Sequence, residues 1–180
     1  MPRTSLVIGA LVVQAAIVTV MLVKAVMPLW TGQEVMIMAR AVDPRDLMRG
    51  DYVALDYDLN LLKTQQLKSD LKPGTSVTYG EDLYVTLRLS DSGAVPTGVY
   101  RTPPQGELMI KGRPTYAQSM PEARDTFRFS GLSMSFGIEE YYTDPQSAQQ
   151  LDRRLRTGTR IPVHLMIDSD GNARIRSLGN

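Results

Sequence analysis

The densest set of reactive side chains lies in residues 43–51, DPRDLMRGD, which hold Asp43, Asp46 and Asp51. Three carboxylates so close in sequence could bind a hard cation and support a metal-dependent hydrolase. Arg40, Arg45 and Arg49 lie among them and offset their charge. That mixture favours ion pairing around a tight corner, where Pro44 fixes one backbone angle and Gly50 permits angles closed to other residues. Glu139 and Glu140 are the other adjacent acids. Neighbouring strand residues face opposite ways, so this pair does not converge for acid–base work. The chain has no cysteine and one histidine, His164. Thiol chemistry, Cys-ligated metals and His-rich zinc centres are thereby excluded. We assign no catalytic, cofactor-binding or metal-binding residue and expect no cofactor.

Two further motifs have blander readings that we prefer. Arg49-Gly50-Asp51 spells an adhesion tripeptide, but adhesion needs an exposed loop tip, and these residues lead into a strand. Asp168-Ser169-Asp170-Gly171-Asn172 bunches oxygen ligands as a calcium loop does, yet its glycine is fourth rather than sixth. A hairpin turn accounts for it better.

These residues must be positioned by a chain of 180 residues with 20 basic and 19 acidic side chains. So even a balance provides no field to gather phosphates, and we expect no nucleic-acid partner. The charge is unevenly placed. Residues 1–30 contain only Arg3 and Lys24, while the remainder has 18 basic and 19 acidic residues. From Leu6 to Val23 there is no charge at all. Eighteen residues rise about 27 Å as a helix, near the ~30 Å of a bilayer core. Lys24 can snorkel, Pro28 is expected to end the helix, and Trp30 suits the interface. The stretch is too long for a signal-peptide core and lacks a small-residue cleavage site. Residues 1–31 are thus expected to be an uncleaved anchor in the lipid bilayer, with the N-terminus cytoplasmic.

Residues 32–180 read as a second, extracytoplasmic unit built of strands. Alternation is strong over 52–59, 83–90 and 160–167, which predicts half-buried strands. Weaker strand patterns cover 34–40, 98–102, 107–111, 126–130 and 134–142. Asp170-Gly171 predicts a hairpin from 160–167 to 173–178. Asp144-Pro145 starts a helix pattern that Gly158 stops, and 61–71 has a looser helical spacing. The fold class is mainly β: one transmembrane helix, then an antiparallel sandwich or barrel-like domain with one or two short helices.

The string Asp43-Pro44-Arg45-Asp46, then Arg49-Gly50-Asp51-Tyr52 with Leu55 and Tyr57, resembles the GDYXXLXY family of membrane-anchored bacterial proteins. Lys111-Gly112-Arg113, residues 137–142 and the run 163–178 are similar too. The chain departs from the pattern at Glu140, where arginine is expected, and at Asp144-Pro145. The resemblance implies an anchor and a domain outside the bacterial cytoplasmic membrane. It implies no activity.

The expected function is a non-catalytic accessory subunit of a larger membrane complex, with respiratory or photosynthetic assemblies as the hosts considered. Its partners would be lipid and other membrane subunits. Candidate contacts are Gly9 and Ala10 on the anchor, Trp30 at its end, Asp56 and Asp58 on a polar strand face, and Tyr141 and Tyr142. Arg153 and Arg154 either complement a helix dipole or meet anionic headgroups or an acidic partner. The alternatives are a small-ligand or envelope-polymer binding module and the metal-dependent hydrolase.

Overall fold

A computed structural model describes residues 3–42, 52–62, 67–71, 76–116, 118–119, 132–142 and 160–179. Helix α1 spans Arg3–Thr31. From Thr4 to Thr31 it is long and apolar enough to cross a membrane, and the β domain buries none of its most apolar stretch. At about 1.5 Å per residue these 28 residues extend about 42 Å.

Pro28 was expected to end this helix but lies inside it. Proline removes one donor and disfavours helix in the residue before it. Here the last turn is closed from beyond. Thr31 Oγ1 donates to the Met27 carbonyl at 3.1 Å and Gly32 N–H to the Pro28 carbonyl at 2.9 Å. Pro28 itself is buried against the β domain.

Strands β1 (Gln33–Val42), β2 (Tyr52–Tyr57), β11 (Glu140–Tyr142), β12 (Ile161–Ile167) and β13 (Ala173–Leu178) form a five-stranded sheet in the order β11-β2-β1-β12-β13. A six-stranded sheet has the order β3-β10-β8-β6-β7-β4. Its members are β3 (Leu61–Leu62), β10 (Leu132–Ser135), β8 (Met109–Pro114), β6 (Leu83–Arg88), β7 (Val95–Tyr100) and β4 (Lys68–Ser69). The short strands β5 (Ser76–Val77) and β9 (Gln118–Ser119) pair separately. Both large sheets feed one apolar core, with Val35, Ile37, Leu55 and Val163 from the first and Leu83, Val85, Ile110 and Leu132 from the second. Backbone bonds between the two sheet systems give the curled, barrel-like form. Ala94 N–H donates to Met36 carbonyl and Lys111 N–H to Gly171 carbonyl, each at 2.7 Å.

The mainly β, largely antiparallel expectation holds, with corrections. The described residues of the 61–71 stretch, 61–62 and 67–71, do not form the helix their leucines suggested. Leu61–Leu62 pairs with β10, and Lys68–Ser69 pairs parallel with β7. Leu62 and Leu71 each reach the core from extended or irregular backbone. Strand 52–59 ends at Tyr57, and Asp58–Asn60 make a 3-10 turn. Strand 83–90 ends at Arg88, leaving Leu89 exposed rather than inward. Thr86, expected on the polar face, is buried, and its hydroxyl meets that of Thr97 at 2.9 Å. The 134–142 pattern is two strands separated by a turn at Gly137, where φ is +73°. The hairpin at Asp170-Gly171 forms as expected. The helix read at 144–158 and the strand at 126–130 lie outside the described residues.

Gly32 joins the helix to the sheet. A Cβ there would strike the Pro28 carbonyl oxygen and come 2.9 Å from both the Ile167 nitrogen and oxygen. These are backbone atoms that cannot rotate aside. Gly32→Ala is expected to cost about 1–3 kcal/mol as overpacking, read as a lower thermal midpoint of the full chain in detergent. Gly9→Ala meets nothing within 4 Å and is expected to leave the midpoint unchanged.

Candidate functional site

The family-like residues divide between those outside and those inside the described structure. Asp43, Pro44, Arg45, Asp46, Arg49, Gly50 and Asp51, together with Arg153 and Arg154, lie outside the described residues. Tyr52 opens β2, and Leu55 and Tyr57 follow on its inward face. Both are buried, with 3% and 2% of their surface exposed. Period-two alternation alone explains why they face the core together.

Tyr57 carries a hydroxyl into that core and must satisfy it. It donates to the Ile138 carbonyl at 2.7 Å, while Leu55 N–H donates to the Glu139 carbonyl at 2.7 Å. The Glu139 carboxylate in turn organises the loop that presents those carbonyls. Its Oε1 accepts from Phe136 N–H at 2.6 Å. Its Oε2 accepts from Gly137 and Ile138 N–H at 2.9 and 3.1 Å, and from Ser135 Oγ at 3.1 Å. The Leu55/Tyr57 half of one motif and the Gly137–Glu139 half of another are therefore one lock. In the sequence these segments stand as separate motifs with nothing local to connect them. The signal was a buried-side tyrosine whose hydroxyl required a distant acceptor.

Glu139 is thus occupied with backbone donors, while Glu140 starts β11 on the outside, where its Oε2 accepts from Tyr142 Oη at 2.6 Å. The pair does not converge. Tyr141 is partly buried against the core, and Tyr142 is exposed.

The outer face of the five-stranded sheet carries charges in pairs. Arg40 on β1 bonds Asp56 on β2 at 2.9 Å, and Arg160 reaches Asp58 at 3.0 Å. Glu34 links two strands further across, with Oε1 2.9 Å from His164 Nδ1 and Oε2 2.7 Å from Arg176. Asp56 and Asp58, read as partner contacts, therefore also have partners within the chain. Being exposed, such pairs contribute at most about 1 kcal/mol each and leave a polar, patterned face. Gly9 and Ala10 are exposed on α1, and Trp30 is 74% exposed at its end.

The Asp168–Asn172 turn uses its own acid. Asp168 Oδ1 accepts from Asp170 N–H at 3.0 Å and Asn172 N–H at 2.8 Å, and Asn172 Nδ2 reaches Oδ2 at 2.9 Å. Gly171 has φ +82°, and its carbonyl takes the Lys111 N–H. The hairpin reading accounts for every one of these contacts. Among the described residues, no group of three or more His, Cys, Asp or Glu side chains could hold a metal ion.

A groove of about 1150 Å³ lies where the end of α1 meets the β domain. Met21, Lys24 and Pro28 line the helix side, and Met109, Lys111, Phe136 and Arg174 line the domain side. Arg174 clamps the two parts together by donating from Nε to the Ala25 carbonyl at 3.2 Å.

The lock at Tyr57 has a direct test. Tyr57→Phe leaves the Ile138 carbonyl without its donor and is expected to cost about 1–3 kcal/mol of stability. The exposed Tyr142→Phe should cost no more than about 0.5 kcal/mol. Burial, and secondarily the Glu139 charge, raise the Tyr57 hydroxyl above its ordinary 10.0. The unfolded chain then ionises first, so this contribution is complete below pH 10.0 and is lost as pH rises above it. Thermal midpoints of wild type should fall more steeply above that pH than those of Tyr57→Phe.

No curated protein and no solved structure matches the chain. A family model does, the one described as GDYXXLXY protein, over residues 14–178. That match takes in the second half of the apolar helix, the Tyr57 lock and the closing hairpin, and the chain accordingly belongs to the GDYXXLXY family.

Proposed function

We propose that this chain is a membrane-anchored, non-catalytic accessory subunit of a larger membrane protein complex. In this reading α1 crosses the bacterial cytoplasmic membrane with its N-terminus inside, and the β domain stands on the outer side. One observation carries the proposal: an apolar helix whose membrane-length stretch is exposed is joined directly, through Gly32, to a β domain with its own buried apolar core. A side chain such as Leu11 or Leu22, about three-fifths exposed, needs lipid or another helix around it. A rigid joint sets the domain at a defined height and orientation over the bilayer, which suits packing on neighbouring subunits. The paired charges across β1, β2, β12 and β13 offer a polar surface of the kind found at interface rims.

The small-ligand reading draws on the groove at the helix–domain junction. The hydrolase reading draws on Asp43, Asp46 and Asp51, which lie outside the described residues. The hydrolase reading has no set of convergent catalytic groups behind it among the described residues.

Gentle detergent extraction followed by native mass measurement tests the subunit role. Co-migration with a defined assembly is expected, and a lone 20.0 kDa species would overturn it. Topology has its own test because the chain contains no cysteine. A Ser92→Cys variant, in an exposed turn, should react in intact cells stripped of their outer envelope with a membrane-impermeant maleimide. Ser5→Cys should react only after the membrane is opened. The reverse pattern would invert the orientation.

A further inference from the structure

The groove between α1 and the β domain combines three features. It has an apolar floor, in Met21, Met109 and Phe136. It has three basic groups, Lys24, Lys111 and Arg174. It also has a defined height on the helix. The uncharged stretch Leu6–Val23 extends about 27 Å, close to the thickness of the hydrocarbon core. Lys24 is the next residue and so falls at the level of lipid phosphates, with Lys111 and Arg174 facing the same space.

None of the three cations has an ion-pair partner among the described residues. Among the described residues Arg174 donates only to the carbonyls of Ala25 and Ala173, at 3.2 and 3.4 Å, which leaves part of its guanidinium fork without a described acceptor. This differs from the outer sheet face, where Arg40, Arg160 and Arg176 are each matched to an acid. Three acids also border the groove: Glu107, Asp168 and Asp170. Asp168 is spent on its own turn, and Glu107 and Asp170 sit in exposed turns. A neutral sum with locally unmatched cations suits a single bound anion better than a broad attraction to acidic surfaces.

We propose that this groove binds the phosphate headgroup of one anionic phospholipid, with Lys24, Lys111 and Arg174 on the phosphate and the apolar floor against the glycerol and upper acyl chains. An arginine fork beside two ammonium groups is a fitting set for a phosphodiester. Because Arg174 also holds the Ala25 carbonyl, the bound lipid would bridge helix and domain and stiffen their joint. The inference rests on α1 spanning the bilayer, but not on the subunit role.

The test uses the full chain reconstituted in phosphatidylcholine bilayers with and without phosphatidylglycerol, followed by native mass measurement of retained lipid after extraction. A basic side chain at an anionic surface contributes about a fivefold preference. Wild type should therefore retain phosphatidylglycerol over phosphatidylcholine, and Lys24→Gln with Lys111→Gln should weaken that preference by about 25-fold. Lys24→Arg with Lys111→Arg should keep it, and Arg88→Gln, which removes an exposed charge away from the groove, should not alter it. Equal retention of the two lipids, or an unchanged preference in the double Gln variant, would overturn the proposal. Displacement of the lipid by millimolar inorganic phosphate would assign the groove to a free anion and also overturn it. Alkaline carbonate washing of the same membranes separates the two readings. A chain that washes off removes both the anchor and the lipid site, whereas an integrated chain without lipid preference removes only the site.

Discussion

The close approach of backbone to backbone at Gly32 is the constraint on which the arrangement of this molecule depends. The last turn of α1 ends against the end of β12, with no room for even a methyl group between the Pro28 carbonyl and Ile167. The helix consequently runs directly into the five-stranded sheet with no intervening loop. Gly32 N–H closes the helix and β1 begins at the next residue. A single residue therefore transmits the direction of an apolar rod into the orientation of a β domain. The Arg174 clamp on Ala25 reinforces the same joint from the hairpin side.

Within the domain, two sheets share one core, and the difficulty is to satisfy polar groups where the sheets curl together. The solution is a small number of backbone bonds, at Ala94 with Met36 and Lys111 with Gly171, and the Tyr57–Glu139 lock. Each buried donor or acceptor left unmatched would cost about 1–3 kcal/mol, comparable to a sizeable share of the stability of an ordinary domain. The chemistry of Tyr57 and Glu139 is thereby structural. Tyrosine brings a donor to a carbonyl that no strand reaches, and a carboxylate gathers three amides that no strand pairs. Among the described residues, Arg40, Arg160 and Arg176 on the sheet face are matched to acids, whereas Lys24, Lys111 and Arg174 at the helix junction have no ion-pair partner. In the readings proposed above, the first surface would serve protein contact and the second a headgroup.

Several elements were legible in the residues. The apolar run of α1, the alternation of β2, β6 and β12, and the Asp170-Gly171 hairpin each follow from local composition and period. The failures are equally local in origin. Leucines 62, 67 and 71 can be drawn on a helix, but long-range pairing with β10 and β7 decides their backbone. Pro28 ordinarily stops a helix; a cap supplied by Thr31 and Gly32 lets it continue. Thr86 reads as a surface residue until its hydroxyl finds Thr97 in a strand flanked on both sides.

Sequence alone determined the membrane-length helix, the β character of the rest and the family pattern, since these depend on hydrophobicity and spacing along the chain. It also identified Tyr57 and the Gly137–Glu139 stretch as belonging to separate motifs. Tertiary structure decided that they form one unit, that Asp56 and Asp58 are matched by Arg40 and Arg160, and that Lys24 faces Lys111 and Arg174 across a groove. The physical reason is distance along the chain. Tyr57 and Ile138 are 81 residues apart, and Ala25 and Arg174 are 149 apart. No local period encodes which distant backbone atom will meet a buried hydroxyl or a free guanidinium; only the closure of the sheets around a common core does.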